Sequence, residues 1–416
     1  MPSDVIVLGA GMVGTCTALH LRERGHRVLL LDRREPGRET SYGNAGLIQR
    51  EAVQPYAFPR EPAALMDALL ERTPAVHTHW RALPRIAPRL WRYFRHSSPA
   101  GHAQATRHFS ALIAHALAEH QALIERASAQ ALVSRQGFRF VFRSQAALDA
   151  AVAEARTLAR DFGVRHAVED AAALKAAEPA LDTARLKGAV HWLDPWAVSD
   201  PGALVRHYAD LLLQRGGEFA HGDAETLQPT LQQQGAGWQV RTASGVVQAQ
   251  QVVVALGPWS DALVCRLGYR FPLFIKRGYH QHYGASGVLH QPLLDAERGY
   301  VVAPMRQGWR ITTGAEFAHI DAPATPVQLH AAEACARELL PLGKAIDAEP
   351  WLGARPCIAD MLPIMGAAPR HRGLWFNFAH AHQGFTLGPV AGRLVAELIS
   401  GEAPFVDPAP YSPARF

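Results

Sequence analysis

Residues 4–32 spell out one supersecondary unit: Asp4-Val-Ile-Val-Leu-Gly-Ala-Gly-Met-Val-Gly14, then Val28-Leu-Leu-Leu-Asp32. Val5 to Leu8 is an apolar run of the length of a buried parallel strand. Gly9 suits a tight turn, Gly11 lets the backbone approach a pyrophosphate, and Gly14 lets the following helix pack closely on the strand. The start of that helix, with Met12 and Val13, offers free N–H groups and positive dipole to phosphate oxygens. Asp32 closes the second strand, where a carboxylate accepts the ribose hydroxyls of an adenosine and disfavours a 2′-phosphate. Strand, glycines, helix and acid at these offsets predict a βαβ unit that binds a dinucleotide other than NADP.

Regular βα repeats do not follow. Ser41-Tyr-Gly-Asn-Ala-Gly-Leu-Ile48 is small and glycine-rich, suited to close backbone approach. A helical stretch is expected over about 62–130, strands over 137–143 and 188–193, and a helix starting at Asp200-Pro201 that stops at Gly216-Gly217. Gln251-Val-Val-Val-Ala-Leu-Gly-Pro-Trp259 reads as a buried strand ending in a small-residue turn. Strand-rich sequence follows at 278–283, 299–303 and 309–313, then a strand at 374–378 and helical periodicity over 392–399. Pieces at the start, middle and end therefore make one cofactor unit around antiparallel insertions. The expected class is α/β, a Rossmann-type FAD-binding domain (1–46, 195–265 and 350–416) interleaved with an α+β substrate domain on an antiparallel sheet (47–194 and 266–349). Nicotinamide dehydrogenases usually keep this unit contiguous, so the layout favours a flavin.

The length of 416 residues allows a sizeable core, and 48% hydrophobic with 19% charged residues fits a globular chain. The net charge of +5 is spread thinly, with lysine only at Lys175, Lys187, Lys276 and Lys344, so no basic block suits nucleic acid. Cys16, Cys265, Cys335 and Cys357 form no CxxC and read as free thiols in a reducing compartment. No basic leader or spanning segment is evident, so a cytoplasmic protein is expected. Trp80 to Arg95 interleaves arginines with aromatic and aliphatic residues, a pattern suited to peripheral contact with the inner membrane. Pro84 and Pro88 interrupt a long amphipathic helix there, which favours an ordinary surface helix, with membrane contact as the alternative. His380 and His382 have the spacing of a metal pair but no acidic or cysteine partner nearby, so no metal is expected.

Several further patches carry a resemblance: Ser41 to Gly46, Val252-Val-Val-Ala-Leu-Gly-Pro-Trp-Ser260, Gly353-Ala-Arg-Pro-Cys-Ile-Ala-Asp-Met-Leu-Pro-Ile-Met-Gly366, and Ala379-His-Ala-His-Gln-Gly-Phe-Thr-Leu-Gly-Pro389. With the N-terminal fingerprint they bracket almost the whole chain. The sequence resembles the FAD-dependent amino-acid oxidoreductases, which include glycine oxidase and sarcosine oxidase. Through Asn44-Ala-Gly46 and Arg277-Gly-Tyr-His280 it is most similar to the bacterial D-amino-acid dehydrogenase branch.

The resemblance implies a set of roles. Gly9, Gly11, Met12, Val13, Gly14 and Asp32 hold the pyrophosphate and adenosine ribose, with Arg33 and Ala224 at the adenine. Ser41, Asn44, Ala45, Gly46 and Leu47 approach the flavin ring, while Ala255, Gly257 and Trp259 close over the pyrophosphate. Gln383, Gly384, Phe385 and Thr386 meet the pyrimidine end, where the N–H groups of a helix start over Gly384 to Leu387 suit the negative charge of a reduced flavin. Arg355 pairs with the substrate carboxylate, a role its planar fork suits; an interdomain salt bridge is the alternative. Tyr279, His280 and Tyr300 are candidates for touching substrate, against a plain core role. FAD is expected to be non-covalent, since Cys357 is out of register for a tether. Arg50 and Glu51 lie near the flavin edge, there to select a polar side chain or simply to be solvated.

Three functions stay open. One is oxidative deamination of a D-amino acid by hydride transfer to flavin N5, giving a 2-oxo acid and ammonia and passing electrons to a quinone or other acceptor. Another is oxidation of secondary amines such as proline, hydroxyproline or sarcosine. The third is a non-catalytic FAD-binding subunit of a larger complex.

Overall fold

The computed structural model describes residues 3–62, 65–66, 75–232 and 235–416. β1 (Ser3–Leu8), α1 (Met12–Glu23) and β2 (Val28–Asp32) form the expected unit, and β1 lies parallel to β2. Val5 and Val7 enter one apolar core and Ile6 and Leu8 the other. A strand buried on both faces has no use for polar alternation, hence its unbroken apolar run.

Seven strands from distant parts of the chain build this sheet. Its parallel body runs Glu218–Gln232, β2, β1, Gly245–Val254 and Leu374–Phe378. Gly235–Thr242 joins two of these as an antiparallel link, and Ile364–Ala367 closes one edge. The helix Pro201–Gln214 starts where expected, with the Asp200 carboxylate accepting from the Ala203 N–H at 2.8 Å.

The last helix begins at the expected start, Gly384, and is continuous from there through the 392–399 stretch. Gly384, Gly388, Pro389 and Gly392 are poor helix formers by propensity. Their use is contact with α1: a Cβ on Gly388 would stand 2.5 Å from Met12 Cγ, and one on Gly392 2.7 Å from the Cys16 backbone. The two helices thus meet nearly backbone to backbone.

The expected 62–130 helical stretch is also divided. Val76–Thr78 is a strand, and separate helices cover Leu83–His96 and Pro99–Arg126; residues 63–64 and 67–74 lie outside the described residues. Ser98 makes the break by accepting from the Gly101 N–H at 3.2 Å. Contrary to the proline argument, Leu83–His96 runs through Pro88, with Ile86 and Tyr93 buried beneath it.

The second sheet has eleven strands around Leu273–Ala285. Trp351–Ile358 pairs antiparallel with that strand along its whole length, from Leu273 opposite Ile358 to His280 opposite Trp351. The expected C-terminal cofactor segment begins at 350, yet this strand belongs to the antiparallel sheet. A small third sheet of Leu47–Ile48, Trp196–Val198 and Val133–Ser134 ties the two together. All four cysteines are free thiols. Among the described residues no helix is long and apolar enough to cross a membrane.

Candidate active site

A cavity of about 780 Å³ lies between the two large sheets and takes its walls from both. That volume is in the range of sites that enclose a cofactor or ligand. Its nucleotide end is mostly backbone. Gly9 has φ +105°, and a Cβ there would stand 2.4 Å from the Ala255 carbonyl oxygen. A Cβ on Gly14 would stand 1.8 Å from the Gly9 carbonyl oxygen, so this glycine packs behind the cavity and does not line it. Gly11, Met12 and Val13 open onto the space, and the Met12 N–H donates to Ser41 Oγ at 3.0 Å.

The Asp32 carboxylate accepts from the Ala10 N–H at 2.6 Å and the Arg34 N–H at 3.1 Å, while burial raises its pKa. Arg33 lies 4.3 Å over the Trp259 ring and pairs with Glu39 at 2.8 Å. Ala224, Ala255 and Gly257 complete this end.

Further along, Asn44 Oδ1 accepts from the N–H groups of Gly46 (2.8 Å) and Leu47 (3.2 Å) and folds the segment into a turn. Asn44, Ala45 and Leu47 face the cavity, but Gly46 does not: its carbonyl accepts from the Val198 N–H at 2.6 Å in the small sheet. Gly384 and Phe385 present the start of the last helix. Gln383 and Thr386 point elsewhere. Gln383 Nε2 donates to Gln49 Oε1 at 2.9 Å, and Thr386 Oγ1 accepts from the Gln49 N–H at 3.1 Å. They hold the neighbouring segment instead of lining the space.

The opposite end is built from side chains of the antiparallel sheet. Arg355 lines the cavity, its guanidinium donating to the carbonyl oxygens of Gly314 (2.7 Å) and Thr313 (3.0 Å). Gly278 makes room for it, since a Cβ there would lie 2.6 Å from Arg355 Nη2. Arg355 makes no salt bridge among the described residues, which disposes of the ion-pair alternative. His380 and His382 stand on a loop with Ala379 at φ +67° and Ala381 at φ +50°, a left-handed backbone that non-glycine residues adopt at a cost. Burial pushes His380 down to about 3 and His382 well below its ordinary value, so both are neutral.

Three expected substrate residues are not in this wall. Tyr279 points to the other face of its strand, where its hydroxyl donates to Glu316 (3.1 Å) and accepts from the Thr325 N–H (2.6 Å). Tyr300 is buried in the apolar core beside it. His280 shares the parity of Lys276 but stacks on Trp351 with ring centroids 4.8 Å apart, behind the cavity. The edge residues also differ: Arg50 donates to the Phe162 carbonyl, and Glu51 is buried, accepting from Gln49 Nε2 at 2.7 Å. Neither lines the cavity or is simply solvated.

A match to the family model described as FAD dependent oxidoreductase covers residues 4–398. The chain belongs to this family. It is 31% identical to a D-amino acid dehydrogenase of Cereibacter sphaeroides over 99% of this chain and 95% of that one. It is 30% identical to a D-amino-acid oxidase of Bradyrhizobium diazoefficiens over 99% and 98%. Its fold is that of glycine oxidase from Geobacillus kaustophilus, at TM-score 0.73 and 22% identity over 100% and 99% of the two chains.

The cavity fits the cofactor of an FAD dependent oxidoreductase. A cradle that side chains would fill at Gly9, an acid at the end of β2 and two helix N-termini on one space are donors and acceptors for a dinucleotide. Sequence reading missed Lys276, which lines the end of the cavity built by the antiparallel sheet. The lysine stands one residue before the Arg277-Gly-Tyr-His280 segment, and strand parity was the available signal: Lys276 and Gly278 face the cavity, Arg277 and Tyr279 face away. His77, His79 and Glu316 cluster with metal-ligand spacing, but Arg277 already neutralises Glu316 at 2.6 Å.

Proposed function

We propose that this flavoenzyme oxidises a D-amino acid to its 2-oxo acid and ammonia and passes the electrons to a quinone or another acceptor. Arg355 carries the reading: a guanidinium on the cavity wall, held in place by two carbonyl oxygens and without an acidic partner, is a seat for a substrate carboxylate. The near-full-length likeness to D-amino acid dehydrogenases supports the D configuration.

Bound FAD supplies the hydride acceptor for the substrate Cα–H. The chain's part is alignment and electrostatics. Gly9, Gly11 and α1 hold the pyrophosphate, Asp32 the ribose, and Arg33 with Ala224 the adenine edge. Asn44, Ala45 and Leu47 would hold the flavin ring without a covalent tether, since the buried Cys357 thiol sits off the main cavity. The N–H groups of Gly384 and Phe385 favour negative charge at the pyrimidine end. The Arg355 charge favours the substrate with a neutral amine, the form that can lose hydride. Water then hydrolyses the released imine. The cofactor domain takes 1–46, the middle segment and the chain after Ile358, and the antiparallel sheet forms the substrate domain. The helix Leu83–His96, with Trp91 62% exposed among arginines, gives a peripheral contact with an anionic membrane.

The test is anaerobic mixing of the holoenzyme with D- and L-amino acids, proline isomers and sarcosine, following the flavin band. D-amino acids should bleach it, and Arg355→Met should lower the bimolecular rate about 100-fold or more while flavin content holds. Bleaching by cyclic or N-methyl amines alone would move the protein to secondary amines. A flavin that nothing bleaches would make it a binding subunit.

A further inference from the structure

Lys276 and Arg355 stand directly opposite each other on paired antiparallel strands, and both line the cavity. Opposed residues share a sheet face, and like charges in that relation repel. Among the described residues no carboxylate pairs with either of them. Lys276 is only 9% exposed and has no hydrogen bond or ion pair among the described residues. Its Nζ lies 5.1 Å from the Tyr93 ring centroid and 5.7 Å from those of Phe274 and Phe317. Among the described residues the carboxylates lining the cavity, Asp32, Glu39, Asp223 and Glu225, come from the nucleotide end, and none pairs with either cation. Burial pushes both cations below their ordinary pKa values, and Arg355 adds to the effect on Lys276.

Two cations held against repulsion in a ligand cavity call for compensating charge from the ligand. We propose that the substrate is an acidic amino acid, with its α-carboxylate on Arg355 and a second, side-chain carboxylate on Lys276. The count closes. An amino dicarboxylic acid with its amine neutral carries two negative charges, matching two cations. The cations also lean apart, Arg355 toward the Thr313 and Gly314 carbonyls and Lys276 toward three aromatic rings, which suits two carboxylates better than one shared between them. This rests on Arg355 being the α-carboxylate seat.

The deciding experiment uses the holoenzyme and unreactive probes: succinate and glutarate against butyrate, titrated by the perturbation of the flavin spectrum. A dicarboxylate should bind at least tenfold more tightly than butyrate. Lys276→Met should bring that ratio close to one, and Lys276→Arg should restore it. Equal binding in the unaltered protein, or a preference that survives Lys276→Met, overturns the proposal. Should Lys276→Met fail to fold, the wild-type ratio and its kcat/KM for D-glutamate or D-aspartate over D-norvaline still decide, with at least a tenfold preference for the acids expected. Failure of the broader reading is distinct: no amino acid would reduce the flavin although the dicarboxylate preference held.

Discussion

The two ends of the cavity are made in different ways. At the nucleotide end the parallel sheet offers backbone: the Gly9 turn, the N–H groups opening α1 and the last helix, and one acid at the end of β2. At the substrate end the antiparallel sheet offers side chains, and which of them face inward follows from strand parity and register. A backbone site tolerates little change at its glycines. A side-chain site keeps its scaffold while individual groups change, so specificity is set there.

The sharpest way to break the contrast is at the first end. Gly14→Val forces atoms against the Gly9 carbonyl, 1.8 Å from where a Cβ would sit, and should cost about 3 kcal/mol or more along with most of the bound flavin. The flavin-to-protein absorbance ratio and a denaturation midpoint check it; a stable, fully flavinated variant would show that this turn is not rigid.

Next comes the buried acid beside Gln49. Burial raises Glu51 from 4.5 to about 7, so the folded protein holds a proton that the unfolded chain gives up earlier. Stability from this group is whole below about pH 4.5, falls as pH rises to about 7, and stays lower above that, a loss on the order of 3 kcal/mol. Glu51→Gln keeps an acceptor for Gln49 and should flatten that decline, measured as urea midpoints at pH 5 and pH 8. An unchanged pH dependence would mean that Glu51 ionises freely.

The smallest effect tests the outward face of the substrate strand. Tyr279→Phe removes the hydroxyl shared by Glu316 and Thr325, costing about 1 kcal/mol of stability. Its kcat/KM should move less than about threefold, well short of the 1.4 kcal/mol that a tenfold change represents. A tenfold loss in kcat/KM with unchanged stability would return Tyr279 to the site.

What could be read in the sequence follows the same division. Gly9, Gly11, Gly14 and Asp32 are legible because turn, close approach and hydrogen-bonding acid demand residue types at fixed spacing. Arg355 is legible through the resemblance of its Gly-Ala-Arg-Pro segment. Tyr279 misled because the face a strand residue takes flips with each position, and sequence alone does not say which face is the core; His280 has the cavity's parity but is covered by Trp351, a cross-strand neighbour that no local signal places there. Lys276 was passed over for the same reason as Tyr279, although it is one of only four lysines. Gln383 and Thr386 lie at the start of the last helix, and which side chains of that turn face the cavity is set by their partner Gln49, far away in sequence.

The glycine seam between α1 and the last helix has a mechanical meaning. Both helices aim their N-termini into the same space, and Gly388 and Gly392 let the last helix approach the Met12 to Thr17 stretch of α1 closely. The distance between the two positive tips is then a property of rigid rods clamped side by side, not of the loops that precede them. A ligand reaching from one tip to the other meets a calliper already set. Its length is gauged before its chemistry is read.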